Sequence, residues 1–427
     1  MTRKFLEWLL AGMARQALRT HKPKIIGITG SVGKTSVKEA IYAVVAAQFH
    51  GKVRKSTLNQ NTEIGVPLTI LGLNPAGRNP LKWLKELVRG MGVVFLTREY
   101  PDVVVLEMAA DRPGDIGALV AIAPPDIAVV TAIGEVPVHV EYFAGPKTLA
   151  REKARLVEAV PPNGWAILNF DDLSVLEMRE RTQAHVFTFG FGEGADVRAV
   201  AYEIRMSVNQ HGKEIPEGIS FKIEYAGNIV PVRLNDIFGK TAVYAALAAA
   251  AVGVAMKMHL VEVSEALANF VPPPGRQRLL CGIKDTWILD DTYNAAPASV
   301  HAALDTLKEL PGKRKIAVLG DMLELGKFTE VAHRAVGERA AADADILITV
   351  GDRMRFAADE AISRGIDEMR VKSFSTTYDA GRALQEVIEP GDCIVVKGSR
   401  ALRMEKIVLE IMAQPERAEE LLVSGQK

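Results

Sequence analysis

Residues 27–40, GITGSVGKTSVKEA, constrain this chain more than any other stretch. An apolar run, Lys24 to Ile28, leads into Thr29-Gly30-Ser31-Val32-Gly33-Lys34-Thr35-Ser36, and a helical pattern follows. Strand, glycine loop, lysine, hydroxyl and helix, in that order, make a cradle for phosphates. Gly30 and Gly33 permit the tight turn. The backbone N–H groups from Ser31 and Val32 to Ser36, together with the helix dipole, then favour an anion. Lys34 is expected to reach the β- and γ-phosphates of a nucleotide, and the Thr35 hydroxyl to ligate Mg²⁺. The strict phosphate-loop spacing calls for glycine at position 28, where this chain has Ile28, so the loop is a shorter variant.

A chain of 427 residues is too long for one compact core. Strands and helices alternate from residue 24: Lys24–Ile28, Val103–Glu107, Ile127–Thr131 and Trp165–Asn169 read as strands, Ser36–Gln48 and Pro146–Ala159 as helices. That is the pattern of a parallel sheet flanked by helices. Residues 195–236 change character and predict short antiparallel strands, a small β-rich insert on the same domain. An alanine-rich helix is expected over Thr241–Met256. VPPPGRQR, residues 271–278, reads as a stiff hinge, because three prolines cannot continue a helix. Beyond it βα alternation restarts, with strands at Trp287–Asp290, Lys315–Leu319, Ile346–Val350 and Cys393–Val396. The fold class is therefore α/β: a helical segment over 1–23, a central phosphate-loop domain over 24–271, and a Rossmann-like domain over 272–427.

Lys+Arg and Asp+Glu both number 52, which argues against a nucleic-acid binder working through a global basic field. Two cysteines give neither a disulfide framework nor a zinc cluster and suit a reducing cytoplasm. No apolar run reaches the roughly 18 residues of a membrane span. The opening MTRKFLEWLLAGMARQAL carries Glu7 within its apolar stretch, and cleavage there would leave no room before the strand at Lys24, so a secretory leader is not expected. Glu107 ends the apolar run VVVLE, and a carboxylate at the C-terminal edge of a parallel strand lies where such sheets bind ligands.

Further segments share one order and spacing: TLNQNTEIGVPLTIL (57–71), LEMAADRPGDIGAL (106–119), VTAIGEVPVHVEYFAGPKTLAREKARL (130–156), DDTYNAAPASV (290–300), VLGDMLELG (318–326) and VKGSR (396–400). Together they resemble the Mur ligases, and most the branch that adds D-alanyl-D-alanine. The resemblance implies a cytoplasmic, ATP-dependent ligase of peptidoglycan precursor synthesis. Its substrates would be a muramoyl tripeptide and D-Ala-D-Ala, joined through an acyl phosphate. It also implies roles. Lys34 and Thr35 would hold the γ-phosphate and a first Mg²⁺. Glu107 would ligate magnesium, His139 a second metal, and Lys153 would be carbamylated so that its oxygens bind metal. Asn59 and Asn61 would lie on the substrate side. Asn169, Arg276, Asp291, Tyr293 and Asn294 would meet nucleotide, and Lys397, Ser399 and Arg400 would meet carboxylate or phosphate.

The chain departs from the family pattern in places. Only 23 residues precede the first strand, where a full-length member carries a domain for the UDP-sugar. A separate partner that recognises UDP, sufficiency of the central domain, and a different acceptor all stay open. Thr241, Ala242 and Ala245 replace a His-Asn…Asn set linked to adenine, Ala296 stands where the family has Asn, and two extra residues precede His139. FLEWLLAGMARQAL and PLKWLKELVRGMGVVFL (80–96) mix Trp and Leu with Lys and Arg. Two readings stand for them: helices packed over the sheet, or a peripheral contact with a membrane surface. A ligase for a lipid-linked or polyglutamate-type acceptor, and a nucleotide-binding subunit without catalysis, are the rival functions. Retention of Lys34, Thr35, Glu107, His139 and Lys153 together counts against the last.

Overall fold

The computed structural model describes residues 3–57, 60–208, 212 and 214–423. Helix α1 (Arg3–His21) precedes the central strand β1 (Lys24–Thr29), which feeds through the glycine loop into α2 (Lys34–Gln48). There follow β2 (Val53–Lys55), α3 (Gly65–Leu71), α4 (Pro80–Phe95), β3 (Val103–Glu107), α5 (Asp115–Ile122), β4 (Ile127–Val130), α6 (Pro146–Glu158), β5 (Trp165–Asn169), α7 (Leu173–Leu176) and β6 (His185–Gly190). Strands β7 (Val197–Val208), β8 (Glu214–Tyr225) and β9 (Asn228–Asn235) complete one nine-stranded sheet, in the order β2-β3-β1-β4-β5-β6-β7-β8-β9.

β1 to β6 run parallel, and β1, β3, β4 and β5 read as near-continuous apolar segments, as strands of a parallel sheet covered by helices do. β7 joins β6 in parallel for two residues, and β7, β8 and β9 then pair antiparallel. The expected β-rich insert is thus a continuation of the main sheet rather than a separate module. Backbone pairing at β6 lets the same sheet carry on. α8 (Lys240–Ala255) is buried almost all round, from Ala245 through Gly253. Its alanines allow close approach: a Cβ on Gly253 would meet Val263 at 2.7 Å and Val44, on α2, at 3.0 Å.

The second sheet begins after α9 (Leu260–Leu267). It holds β10 (Arg278–Gly282), β11 (Thr286–Asp291), β12 (Lys315–Gly320), β13 (Ile346–Val350), β14 (Val371–Phe374) and β15 (Cys393–Lys397), in the order β10-β11-β15-β12-β13-β14. Only β10 is antiparallel, and it lies at the edge. Helix α10 (Pro297–Glu309) follows β11. The sequence patterns missed β2, β10 and β14, which lie at sheet edges, and also β6, which lies inside the first sheet between β5 and β7.

α1 packs on α3, α4 and α5 on one flank of the first sheet, burying Leu6, Leu10, Ala14 and Ala17, at helical spacing. Burying each leucine contributes about 2 kcal/mol. The packed reading of this helix therefore holds for one of its faces. α4 starts at a good N-cap: the Asn79 side chain accepts from the N–H groups of Leu81 and Lys82, and Pro80 stands at the first helical position. Among the described residues, no helix is long and apolar enough to cross a membrane.

Candidate active site

β1 lies between β3 and β4, so the loop after it opens at the carboxyl edge of the sheet where the connections diverge. Gly33 takes a left-handed φ of 87° just before α2, a conformation that favours glycine. Gly30 is closed in by the neighbouring strand, for a Cβ there would lie 1.9 Å from Thr131 Oγ1. The loop is tied down by Ser31 and Val32, whose N–H groups donate to the Ala132 carbonyl at 2.7 and 3.0 Å, so these two donors, expected to face an anion, are taken up within the protein because the loop lies against the strand end at Ala132. Ser31 Oγ is buried with no hydrogen-bond partner beside an open cleft.

Register brings the first carboxylate to the loop. Ile28 pairs with Glu107, and Glu107 Oε1 lies 3.5 Å from Thr35 Oγ1 and 3.4 Å from Asn61 Nδ2. Thr35 and Glu107 thus present hard oxygens at the N-terminus of α2. This fits Mg²⁺, which takes few protein ligands and keeps the rest for phosphate and water. Among the described residues, no cluster of three or more His, Cys, Asp and Glu side chains forms a closed metal cage.

Two lysines converge behind the loop. Lys34 and Lys153 both donate to the Gly30 carbonyl, at 2.8 and 2.9 Å. Burial pulls the pKa of each ammonium down, and for Lys153 the nearby Lys34 charge adds to the effect, carrying it well below the usual value. Lys153 is reached from α6, where it stands on the buried face with Leu149, Leu156 and Val157.

His139 borders the same cleft with its backbone at φ 68°. Its ring does not turn to Glu107. Nδ1 lies 2.5 Å from Glu324 Oε2 and Nε2 lies 3.5 Å from Asp111 Oδ1. The histidine's hydrogen bond holds the Glu324 carboxyl below the usual range. The four residues expected to hold metal therefore divide into three settings: Thr35 with Glu107, Lys153 behind the loop, and His139 between two other carboxylates.

The second half of the chain closes over this edge. Arg276 donates from Nη2 to Thr35 Oγ1 at 3.2 Å, and its guanidinium stacks over the Tyr293 ring with 4.0 Å to the centroid. Asp291 and Lys397 end neighbouring parallel strands in direct register and form a buried pair at 2.7 Å, with Lys397 also donating to the Asn294 carbonyl at 2.9 Å. Burial lowers the Lys397 pKa while Asp291 opposes that shift. Next to them, burial pushes the Asp290 carboxyl up to about 6, against hydrogen bonds from Thr292. The cleft so formed is about 300 Å³ and is bordered by residues of both sheets, including Ser31 to Ser36, Asn61, Glu107, His139, Arg276, Asp291, Tyr293, Asn294 and Lys397.

Asn169 lies elsewhere, at the end of β5, on a second cavity of about 400 Å³ that shares Val32, Gly33 and Thr241 with the first. There Asn169 Oδ1 accepts from the Asp171 N–H at 3.0 Å, and Tyr244 donates to Asp171 at 2.7 Å. Thr241 donates to Gln277 at 3.1 Å, so this departure from the family pattern is bonded within the protein. Ser399 and Arg400 are not brought to the cleft. Ser399 Oγ accepts from the Leu323 N–H at 2.9 Å, and the Arg400 guanidinium pairs with buried Glu405 at 3.0 Å. Ser399 is taken up by the segment after β12, and Arg400 by an ion pair with a residue that follows β15. Asn59 lies outside the described residues.

Sequence reasoning passed over Glu324, Asp111, Gln277, Tyr244 and Asp171. Glu324 sits inside VLGDMLELG and Asp111 inside LEMAADRPGDIGAL, so the motifs were visible, but their partners were not.

Residues 28–80 and 91–253 match the family model described as Mur ligase middle domain, and residues 275–400 match that of the Mur ligase glutamate ligase domain. The UDP-N-acetylmuramoyl-tripeptide–D-alanyl-D-alanine ligase of Synechocystis sp. is 31% identical over 394 residues, covering 91% of this chain and 75% of that protein. The crystal structure of MurF from Acinetobacter baumannii superposes with a TM-score of 0.77 at 26% identity, covering 95% of this chain and 80% of that one. MurF ligase from Thermotoga maritima in complex with ADP gives 0.77 at 25% identity, over 96% and 84%.

Proposed function

The chain belongs to the Mur ligase family, whose members spend ATP to form amide bonds, and from that premise we propose that it joins D-alanyl-D-alanine to the tripeptide of a muramoyl precursor in peptidoglycan synthesis. The observation that carries this reading is the single cleft in which Lys34, Thr35 and Glu107 of the first sheet face Arg276, Asp291 and Lys397 of the second half.

A free carboxylate is a poor electrophile. In this reading a terminal carboxylate oxygen of the tripeptide attacks the γ-phosphorus of ATP, the bond to ADP breaks, and an acyl phosphate results. The amine of D-Ala-D-Ala then attacks the carbonyl carbon and gives up a proton. The carbon–oxygen bond to phosphate breaks as the amide forms. Charge builds on phosphate oxygens in the first step, and the protein answers it with fixed groups: the N–H groups at the start of α2, the Lys34 ammonium and the Arg276 guanidinium. Thr35 and Glu107 would hold Mg²⁺, which would supply Lewis-acid charge to the phosphate being transferred. Arg276 reaches Thr35 from the other half of the chain, so closure at residues 271–272 would complete the site and exclude water. We divide the chain there, with 24–271 gripping phosphate and 272–427 closing on it. The enzyme works in the cytoplasm, at the membrane surface.

Lys153 fits carbamylation. Burial and the Lys34 charge both disfavour the ammonium form of Lys153, which favours the neutral amine that can attack carbon dioxide, and the anionic product would face Lys34 as an opposite charge. Isotope-labelled bicarbonate should give a carbamate carbon resonance in the wild type and none in Lys153→Arg. The same spectrum for both proteins would remove this role.

The reading as a whole is tested by phosphate release from ATP and Mg²⁺ with UDP-MurNAc-tripeptide, with and without D-Ala-D-Ala, and by the mass of the product. Release that needs both substrates, with the expected amide, is the predicted result. Nucleotide binding without turnover on this pair would reject the acceptor and turn the search to lipid-linked precursors.

A further inference from the structure

α1 and α4 lie side by side on the flank of the first sheet, packed on one side and bare on the other. α4 meets α1 at Gly90, where a Cβ would come within 2.6 Å of the Met13 side chain, and Val94 is buried nearby. On another face, Leu81, Leu84, Val88, Met91 and Phe95 are between 49% and 76% exposed. Their spacing of three and four residues puts all five within about 80° of the helix circumference. α1 adds Phe5 and Trp8, both exposed, with ring centroids 5.9 Å apart. Singly scattered apolar residues need no explanation, but a stripe of five beside an exposed aromatic pair marks a surface that meets something.

Charge says what it meets. Across the two helices Arg3, Lys4, Arg15, Arg19, Lys82, Lys85 and Arg89 stand against Glu7 and Glu86, seven basic residues to two acidic, in a chain whose net charge is zero. Both acids are engaged, Glu7 with Arg3 at 2.8 Å and Glu86 with Arg89 at 2.9 Å. Helical geometry sets Lys82, Lys85 and Arg89 along one edge of the exposed stripe. The three-and-four spacing would also suit a second copy of α4. A symmetric pairing, however, would bring the two sets of lysines together with no unpaired acid to meet them. An anionic bilayer matches both features at once, taking up the stripe and attracting its basic edge.

We propose that this face docks on an anionic lipid bilayer, with α4 lying in the plane of the interface. This sharpens the membrane-surface placement given above and holds whichever acceptor the ligase uses. The full chain is floated with vesicles rich in phosphatidylglycerol and with vesicles of phosphatidylcholine alone. Flotation is expected with the first, weakening as salt is raised. Leu84→Glu/Phe95→Glu should reduce it by about tenfold or more, because two carboxylates would enter the apolar boundary. Lys82→Glu/Lys85→Glu should abolish the preference for anionic lipid. The replaced side chains are exposed, so circular dichroism and phosphate release in solution should be unchanged in both variants. No flotation of the wild type with phosphatidylglycerol, or equal flotation of wild type and both variants, would overturn the proposal. So would a concentration-dependent dimer, without vesicle binding, that Leu84→Glu/Phe95→Glu dissociates. Failure here leaves the turnover assay untouched, so the two readings fall separately.

Discussion

Replacing Lys34 with methionine lowers turnover on the order of 10³-fold, the scale on which a preorganised charge at a developing anion acts. The aliphatic stem survives in the variant, so the loop keeps its packing while the ammonium that now donates to the Gly30 carbonyl is gone. Lys153, which donates to the same oxygen, remains and holds the backbone in place. The loss is therefore expected in kcat, with the unfolding temperature close to that of the wild type. Steady-state phosphate release and a thermal melt decide this. A variant within a few-fold of wild type would show that Lys34 does not face the transferred phosphate.

Lys397→Met is expected to destabilise the protein by about 3–5 kcal/mol, because it strands the Asp291 carboxylate without its partner in the interior. The pair stands at the matched ends of β11 and β15 and is almost fully buried. Adding Asp291→Asn removes the stranded charge, so the double variant should recover most of the loss. Urea unfolding of the single and double variants measures the difference. Equal midpoints for the two would mean that the carboxylate finds another partner. The double variant should still bind nucleotide poorly if the pair also shapes the cleft, so stability and binding are read separately.

Much of the site was legible because local chemistry fixes it. A glycine loop between an apolar strand and a helix can hold little but an anion, and Gly33 takes the left-handed φ that such a turn requires. Glu107 was visible as the acid that closes an apolar strand, and register then set it beside Thr35. The alanine-rich helix was legible too, within a residue at each end.

Other features had no local signature. His139 carries the same sequence whether it faces a metal, a carboxylate or solvent, and only the fold sets it between Glu324 and Asp111, 185 and 28 residues away. Ser399 and Arg400 followed a motif as far as the end of β15, and a hydrogen bond from Leu323 and an ion pair with Glu405 then took their side chains out of the cleft. The helices α1 and α4 show the same divide. Their apolar periodicity was plain, but periodicity counts faces and does not say which face is covered.

The sequence by itself determined the phosphate loop, the alternation that builds two sheets, and the break in regular structure at the prolines between them, because glycine conformation, strand and helix periods and proline act over a few residues. The tertiary structure alone decided which carboxylates meet His139, how Arg276 reaches Thr35, and that one stripe of α4 stays bare. Those outcomes depend on contacts between segments up to 241 residues apart, set by packing and burial of the whole chain.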